Sequence, residues 1–329
     1  MLTFYIVSAN IWTIRGESME KCCNKTFQAE QEIEKLLSTG QVKEVSLSLL
    51  EVSNNLSLTS DNKFLIESVN DTYEKYLNIL PKLEKYLPSF LAVIKEKEII
   101  RNQSLEDVNP LEIDILLKYG AASATDIMLK DKKIGKVYDI DNFCQSHGMM
   151  LLGISHSKDV FSGLRNNNTA FVGQMVNDKK KIDYIPIDYK KIQIIVEEVL
   201  NIYNERCPKD IVDCYVKPIL IHGLIAAFQM FKDGNTRIAR IYQNILFWDL
   251  INNNNPFRYH EQPNLYVSEA LFNSKMRPRY RELIKDLAIN PSAKSLNEWI
   301  KFNMEIIEKQ IYINIDKVSQ LKYILDKRV

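Results

Sequence analysis

Apolar residues recur every three or four positions along most of the chain, which is the spacing of one face of an α-helix. Within residues 62–79, for example, Ile66, Val69 and Tyr73 form such a stripe. The helices that this pattern predicts cover residues 26–37, 42–52, 62–79, 83–100, 109–118, 138–154, 188–203, 218–228, 236–250, 267–288 and 292–318. Glycine and proline number only 10 each. Because few positions interrupt the helices, we predict a mostly α fold.

One stretch, residues 169–185, departs from the helical pattern. Mixed β-branched and aromatic residues at 169–173 and 182–186 flank a polar turn at 177–179, as is typical of two strands in a hairpin. We predict one small β-hairpin here. It is the only convincing strand signal in the chain.

Two polar segments divide the sequence. Residues 101–110 form a connector, and the asparagine-rich run at 252–256 is a strong helix stop. We therefore expect an N-terminal helical region at 1–104, a core at 105–250 and a C-terminal helical region at 251–329.

The composition, with 46% hydrophobic and 26% charged residues, is ordinary for a soluble globular protein. A net charge of +1 gives no reason to expect nucleic acid or an acidic membrane as a partner. The five cysteines are irregularly spaced and the four histidines are scattered, so neither a disulfide framework nor a Cys/His metal cluster is expected. We expect a reducing, cytoplasmic setting, with a secreted effector left open as the alternative.

The first residues support a separate hypothesis about the start of the protein. Residues 2–14 are moderately apolar, but they are too short to span a bilayer and lack a basic leading region. Residues 15–17 can be encoded by a purine-rich, ribosome-binding-like stretch just upstream of Met19. Translation would then begin at Met19, and residues 1–18 would lie outside the natural protein; a start at Met1 stays open.

The segment 229–240 joins two apolar helices through a short polar loop. Gly234 can take a positive φ without steric cost, and Asn235 or Thr236 can cap the following helix. The first amide groups of that helix have no intrahelical acceptor, and the helix dipole adds positive potential. The loop 232–235 is therefore a natural seat for an anion.

Charged residues in the same segment strengthen this interpretation. Arg237 and Arg240, three positions apart, lie near each other at the start of the helix, and Lys232 belongs to the loop. Asp233 adds a carboxylate, the hard oxygen ligand that Mg²⁺ accepts beside phosphates. Together these residues indicate a nucleotide site.

The segment resembles the motif of Fic-domain proteins, His-x-Phe-x-Asp/Glu-Gly-Asn-Gly-Arg-x-x-Arg. The residues that match in register are Phe231, Asp233, Gly234, Asn235, Arg237 and Arg240. His222 lies in the preceding helix, where many members have a histidine. Residues 163–165 and the hairpin after them are similar to the family's target-binding flap. The resemblance covers roughly residues 105–250 of the chain.

The resemblance implies a Fic-like helical bundle that transfers a nucleotide, most often AMP from ATP to a hydroxyl of a target protein. It also implies which residues hold the nucleotide: Lys232, Gly234, Asn235, Thr236, Arg237 and Arg240. Asp233 would bind Mg²⁺, and Arg237 would stabilise charge on the leaving pyrophosphate. The target protein would add as a strand along the edge of the hairpin at 169–185. UMP or phosphocholine as the transferred group, and a homodimer, remain open.

Two positions depart from the family motif. Gln229 stands at the position of the motif histidine, the general base, and Thr236 stands where glycine is usual. Glutamine cannot take a proton near neutral pH, and a positioned base contributes on the order of 10²–10⁴-fold in rate. A binding protein, a very slow enzyme and a site with another base are the alternatives. Gln229 is either native or was introduced to trap a substrate complex.

The resemblance also implies a regulator. Many members carry a helix whose glutamate pairs with the last arginine of the motif and excludes the γ-phosphate of ATP. The helix predicted at 42–52 carries Glu51. The hypothesis is that Glu51 pairs with Arg240 and restrains nucleotide binding.

Overall fold

The computed structural model describes residues 19–105, 115–152, 163–176, 179–254, 261–273 and 275–327. Residues 1–18, which a translation start at Met19 would exclude, lie outside the described residues. So do the end of the connector at 106–110 and part of the hairpin turn at 177–178.

The described chain is mostly α-helical, with one two-stranded antiparallel sheet, which confirms the predicted fold class. The helices are α1 (Met19–Ser38), α2 (Ser48–Asn54), α3 (Ser60–Ile79), α4 (Leu87–Ser104), α5 (Ile115–Lys133), α6 (Ile140–Met150), α7 (Ile192–Asn204), α8 (Ile211–Phe228), α9 (Asn235–Asn254), α10 (Ser268–Leu271), α11 (Met276–Ile289) and α12 (Ala293–Asp326). Short 3₁₀ segments, Leu80–Tyr86 and Tyr189–Lys191, precede α4 and α7. The strands are β1 (Val172–Val176) and β2 (Lys179–Tyr184).

Helix α5 continues well beyond the predicted end at 118. Its buried stripe consists of the small residues Ala121 and Ala124, followed by Met128, so the apolar pattern is weak in the sequence. Gly120 lies so close to α6 that an added Cβ would come within 2.4 Å of the carbonyl oxygen of Met149. The helix is therefore specified by close packing rather than by large apolar side chains.

Helices α8 and α9 form the centre of the molecule and pack against each other along their lengths. Helix α8 begins at Ile211, not at the predicted Pro218, which lies inside it. The proline removes one helical hydrogen bond, but the apolar residues on either side of it are buried and hold the helix by packing. Among the described helices, α8 is long and apolar enough to cross a membrane, and 78% of it is buried within the protein. That burial is the property of a core helix.

One hydrophobic cluster extends from Val45 to Val318 and includes residues from all three regions expected from the sequence. Helix α3 packs along α12, and α11 and α12 both contact α8. The N-terminal and C-terminal regions therefore share a core with the central helices. The predicted boundaries at 104 and 250 stay predictions.

The hairpin is braced at its base by the N-terminal region. Val172 pairs with Tyr184 and Val176 with Lys179 in the antiparallel register. Just after β2, Ile185 accepts a hydrogen bond from the amide of Val45 (2.9 Å) and donates one to the carbonyl of Lys43 (3.0 Å). This contact fixes where the hairpin leaves the body of the protein.

Candidate functional site

The loop between α8 and α9 is shaped by two residues with positive φ. Gln229 caps α8 in the left-handed conformation, with φ 53° and ψ 60°, and Gly234 has φ +76°. The amide of Ile238 donates to the carbonyl of Gly234 (2.9 Å), so Gly234 immediately precedes α9. The positive φ predicted for this glycine is present, and α9 begins at Asn235, one residue before the predicted start at 236.

Asn235 ties the two ends of the loop together. Its Oδ1 accepts a hydrogen bond from the amide of Phe231 (2.8 Å), and its Nδ2 donates to the carbonyl of Phe231 (2.9 Å). The same Nδ2 donates to Oε1 of Gln229 at 3.0 Å. Asn235 therefore closes the loop from inside α9 and does not act as a conventional helix cap.

Both the Nε2 and the Oε1 of Gln229 form hydrogen bonds within the protein. Nε2 donates to the carbonyl of Ala226 (2.6 Å), while Oε1 accepts from Asn235, and the residue is only 3% exposed. A glutamine at the motif histidine position thus keeps the loop in place without a titratable group.

Arg165 connects this turn to the base of the hairpin. Its Nε donates to the carbonyl of Gln229 (2.7 Å), and its Nη2 donates to the carbonyl of Ile187 (2.6 Å). The Arg165 amide also donates to the carbonyl of Met230 at 2.9 Å. Burial lowers the pKa of Arg165 to about 10, which leaves the guanidinium charged at neutral pH. The tripeptide at 163–165 therefore anchors the hairpin to the loop.

His147 of α6 supports the loop from the other side. Its ring stacks on Phe231 with centroids 3.7 Å apart and planes within 2°, and its Nε2 donates to the carbonyl of Asp233 (2.7 Å). Burial lowers the pKa of His147 to about 4, so the ring is neutral near pH 7. An added Cβ on Gly234 would meet that ring at 3.3 Å and the methyl of Met150 at 2.8 Å. His147 was not a candidate from the sequence, because no local pattern links α6 to the loop.

Asp233 and Arg237 form an ion pair across one helical turn, with Nη2 and Oδ2 3.0 Å apart. The Asp233 side chain is 39% exposed, whereas that of Arg237 is 5% exposed. Oδ1 of Asp233 accepts from the amide of Gly234 (2.5 Å). The loop thus offers one solvent-accessible carboxylate. This single carboxylate is enough to hold Mg²⁺ only when phosphate oxygens and water complete the coordination of the ion.

Arg240 lies in the interior and is 0% exposed. Its Nε donates to Oδ1 of Asn102 (2.6 Å), its Nη2 donates to the carbonyl of Asn102 (3.1 Å), and its Nη1 reaches the hydroxyl of Tyr280 (3.4 Å). Glu51 is exposed on α2, so the predicted pairing of Glu51 with Arg240 is wrong for this structure. The short motif around Glu51 could not reveal that α4, rather than α2, covers the arginine.

Helix α4 lies along α9 through polar contacts. Nδ2 of Asn244 donates to Oε1 of Glu98 (2.8 Å), and Nη1 of Arg237 donates to Oε1 of Gln103 (3.2 Å). Glu98 and Asn102, one helical turn apart on α4, both contact α9, as Gln103 does. Neither Asn102 nor Gln103 was a candidate from the sequence. Both lie far from the motif along the chain, in a stretch without a pattern of its own.

A fold comparison identifies the architecture around this loop. Fic-1 of C. elegans, as residues 134–508, aligns with a TM-score of 0.54 over 79% of this chain and 74% of that chain, at 12% sequence identity. The chain has a Fic-domain fold. No protein-family model and no curated protein sequence match it.

Two further solved structures are similar to this Fic-fold chain. A Fic family protein of Desulfovibrio desulfuricans G20 has a TM-score of 0.49 at 11% identity, over 79% of this chain and 76% of that chain. A Fic domain-containing signalling protein of Bacteroides thetaiotaomicron has a TM-score of 0.47 at 13% identity, over 77% and 98% of the two chains.

The Fic fold brings most of the predicted site residues together. Gln229 bonds to Asn235, and Asp233 bonds to Arg237 and to the amide of Gly234, so two bonded pairs lie within this loop. Their predicted roles toward nucleotide and metal stay predictions, as do those of Lys232, Thr236 and Arg240. All three are at least nine-tenths buried at the loop or the start of α9.

His222 has a structural role beneath the Fic-fold loop. It is 1% exposed, with Nδ1 2.5 Å from Oε1 of Gln243 and Nε2 2.8 Å from the hydroxyl of Tyr280. Burial, together with the charge of Arg240, lowers the pKa of His222 from 6.5 to about 3. A folded-state pKa below the unfolded value gives stability that is complete above about pH 6.5 and is lost progressively toward pH 3.

We expect this histidine to make the folded protein sensitive to mild acid. Each pH unit below 6.5 removes up to about 1.4 kcal/mol, so His222 alone lowers the free energy of unfolding by about 2 kcal/mol at pH 5. Urea unfolding of the wild type and of His222→Gln between pH 5 and 7.5 measures this difference. An identical pH dependence in the two proteins would contradict the assignment.

Proposed function

We propose that the chain binds a nucleoside triphosphate, with ATP and Mg²⁺ as the expected ligands, at the loop before α9. We further propose that Gln229 leaves the site without a general base, so that the wild type acts as a nucleotide-dependent binding protein. The observation that carries the proposal is the hydrogen bond between Asn235 and Gln229. It closes the motif loop, and the residue that accepts it is a glutamine, which cannot serve as the general base.

The anion seat supports the first part of the proposal. The loop ends at Gly234, where the N-terminus of a 20-residue helix begins, and the dipole of that helix favours phosphate at this end. Arg237 lies in the first turn and carries a guanidinium suited to bidentate phosphate contacts. Lys232, although 9% exposed, adds a second positive charge to the loop.

Asp233 is the residue that would hold Mg²⁺. A magnesium ion supplies charge neutralisation for the phosphates and usually takes only one or two protein carboxylates. Asp233 is part-exposed and now pairs with Arg237. A phosphate that bound Arg237 would therefore release the Asp233 carboxylate for the ion.

The described histidines do not replace the missing base. His222 uses both ring nitrogens in hydrogen bonds to Gln243 and Tyr280. His147 donates through Nε2 to the loop, and its pKa of about 4 makes it a poor proton acceptor at neutral pH. Both rings therefore support the loop or the core.

Slow AMP transfer to a protein hydroxyl is the second candidate function, and the hairpin is the observation that favours it. Strand β1 pairs with β2 and with no other strand in the described part of the chain, so its outer edge can accept a further strand. Arg165 fixes the base of this hairpin to the Gln229 turn. A target held on β1 would lie beside the proposed nucleotide site.

Replacing Arg237 with methionine tests the nucleotide site. Loss of one charge-assisted contact is expected to weaken Mg-ATP binding roughly 10- to 100-fold. Arg279→Met is the matched control, since Arg279 is a part-exposed arginine paired with Glu305 on the C-terminal helices. Calorimetric titration of both variants, with the thermal midpoint recorded for each, distinguishes lost binding from lost folding. Equal affinity in the two variants would refute the assignment.

A further inference from the structure

Gln103 lies at the end of α4 and is 0% exposed. Its Oε1 accepts a hydrogen bond from Nη1 of Arg237 at 3.2 Å. This contact fixes the orientation of the amide, because the opposite orientation would place the NH₂ group against a guanidinium donor. The Nε2 end of Gln103 is therefore the end that Arg237 does not occupy.

Two buried donors at this place have no acceptor among the described residues. One is Nε2 of Gln103, and the other is Nε of Arg237. Buried N–H groups are almost always hydrogen-bonded, and an unpaired one is costly. Both donors belong to side chains that contact each other at the first turn of α9.

An acceptor-rich anion satisfies both donors together. The neighbouring helix N-terminus favours negative charge, and phosphate oxygens accept hydrogen bonds but do not donate them when ionised. Gln103 and Asp233 accept hydrogen bonds from Nη1 and Nη2 of Arg237, so Nε is the guanidinium nitrogen that has no partner among the described residues. Gln103 lies 134 positions before Arg237 and outside the motif, and no motif pattern assigns it a role.

We infer that Gln103 is a phosphate-contacting residue, which donates from Nε2 to a phosphate oxygen of the bound nucleotide beside Nε of Arg237. The inference rests on the proposed nucleotide site and adds a ligand-binding residue from α4. It makes the end of α4 part of the binding site, so that the nucleotide bridges α4 and α9.

The substitution Gln103→Met tests the inference by the sign of its effect. If Gln103 only occupies Arg237, methionine frees the guanidinium and phosphate binding strengthens. If Gln103 donates to phosphate, methionine removes that donor, and we expect binding to weaken roughly 10-fold. The probes are Mg-ATP and inorganic pyrophosphate, each titrated by calorimetry.

A second variant, Gln103→Glu, keeps an acceptor for Arg237 and replaces the NH₂ donor with a charged oxygen. The new ion pair should maintain the thermal midpoint, whereas repulsion should weaken both probes by at least about 10-fold. Gln320→Glu, at an exposed position on α12, controls for the added charge. If Gln103→Met does not fold, Gln103→Glu still decides the question.

The outcomes separate this inference from the proposed function. If the wild type binds both probes and both variants bind as tightly as the wild type, the inference falls and the nucleotide site stands. If the wild type binds pyrophosphate but not Mg-ATP, the proposed function falls, and the variants judge Gln103 with pyrophosphate alone. If the wild type binds neither probe, both proposals are refuted.

Discussion

Replacing Gln229 with histidine is expected to raise AMP transfer by at least about 100-fold over the wild type, because a positioned general base contributes 10²–10⁴-fold. The backbone can accept the change, since histidine is among the residues enriched at positive φ, and Gln229 has φ 53°. The ring N–H can donate to the carbonyl of Ala226, which Nε2 of the glutamine now contacts, and the unprotonated nitrogen is then left to accept the proton. Incorporation of label from α-labelled ATP into protein, with Mg²⁺ present, measures the rate.

Gln229→Asn is the control for this experiment, because it retains an amide and adds no base. If Gln229→His transfers AMP and neither the wild type nor Gln229→Asn does, the wild type has an intact binding site and lacks only the proton acceptor. Equal transfer by the wild type and Gln229→His would show that another base acts, and it would contradict the proposed role of Gln229.

Asn235→Ala is expected to lower both the free energy of unfolding and the affinity for Mg-ATP. The substitution removes three hydrogen bonds and leaves the amide of Phe231 and Oε1 of Gln229 buried without partners. Each such group costs about 1–3 kcal/mol, so the free energy of unfolding should fall by roughly 3 kcal/mol. The loop also loses the contact that fixes its two ends, and Mg-ATP affinity should fall at least about 10-fold.

Asn303→Ala is the matched control, because Asn303 is also buried in a helix but donates only one hydrogen bond, to the carbonyl of Trp299. Urea unfolding and calorimetric titration are measured for both variants. We expect the control to lose less stability and to keep its affinity. A similar small change in both proteins would argue against the role of Asn235 in shaping the loop.

The local geometry of the site could be predicted from the sequence because its contacts join residues close together in the chain. Gly234 has the positive φ expected of it, α9 starts within one residue of its predicted start, and the hairpin forms where β-branched and aromatic residues flank a polar turn. Asp233 and Arg237 pair over one helical turn. Spacing alone determines such relationships.

The residues that cover the site could not be predicted in this way. Asn102, Gln103 and His147 reach the loop from α4 and α6, and their positions depend on which helix faces pack together. Glu51 is the opposite case: its local sequence resembles a motif, but the side chain is exposed on α2 and does not reach the site. Long-range packing, which periodicity does not specify, decides which side chain meets Arg240.

The same reason explains the difference at α5 and α8. Ala121 and Ala124 make a weak apolar pattern, yet they are fully or almost fully buried. Pro218 is a start signal for a helix, yet packing on both sides carries α8 through it. In both helices, tertiary contacts outweigh the local signal.

Calorimetric titration of the wild type with Mg-ATP tests the central claim most directly. The nucleotide site predicts saturable binding at one site, weakened by Asn235→Ala and Arg237→Met and preserved in Gln229→His. Absence of binding heat and of any thermal stabilisation by Mg-ATP, in a wild type that is fully folded, would contradict it.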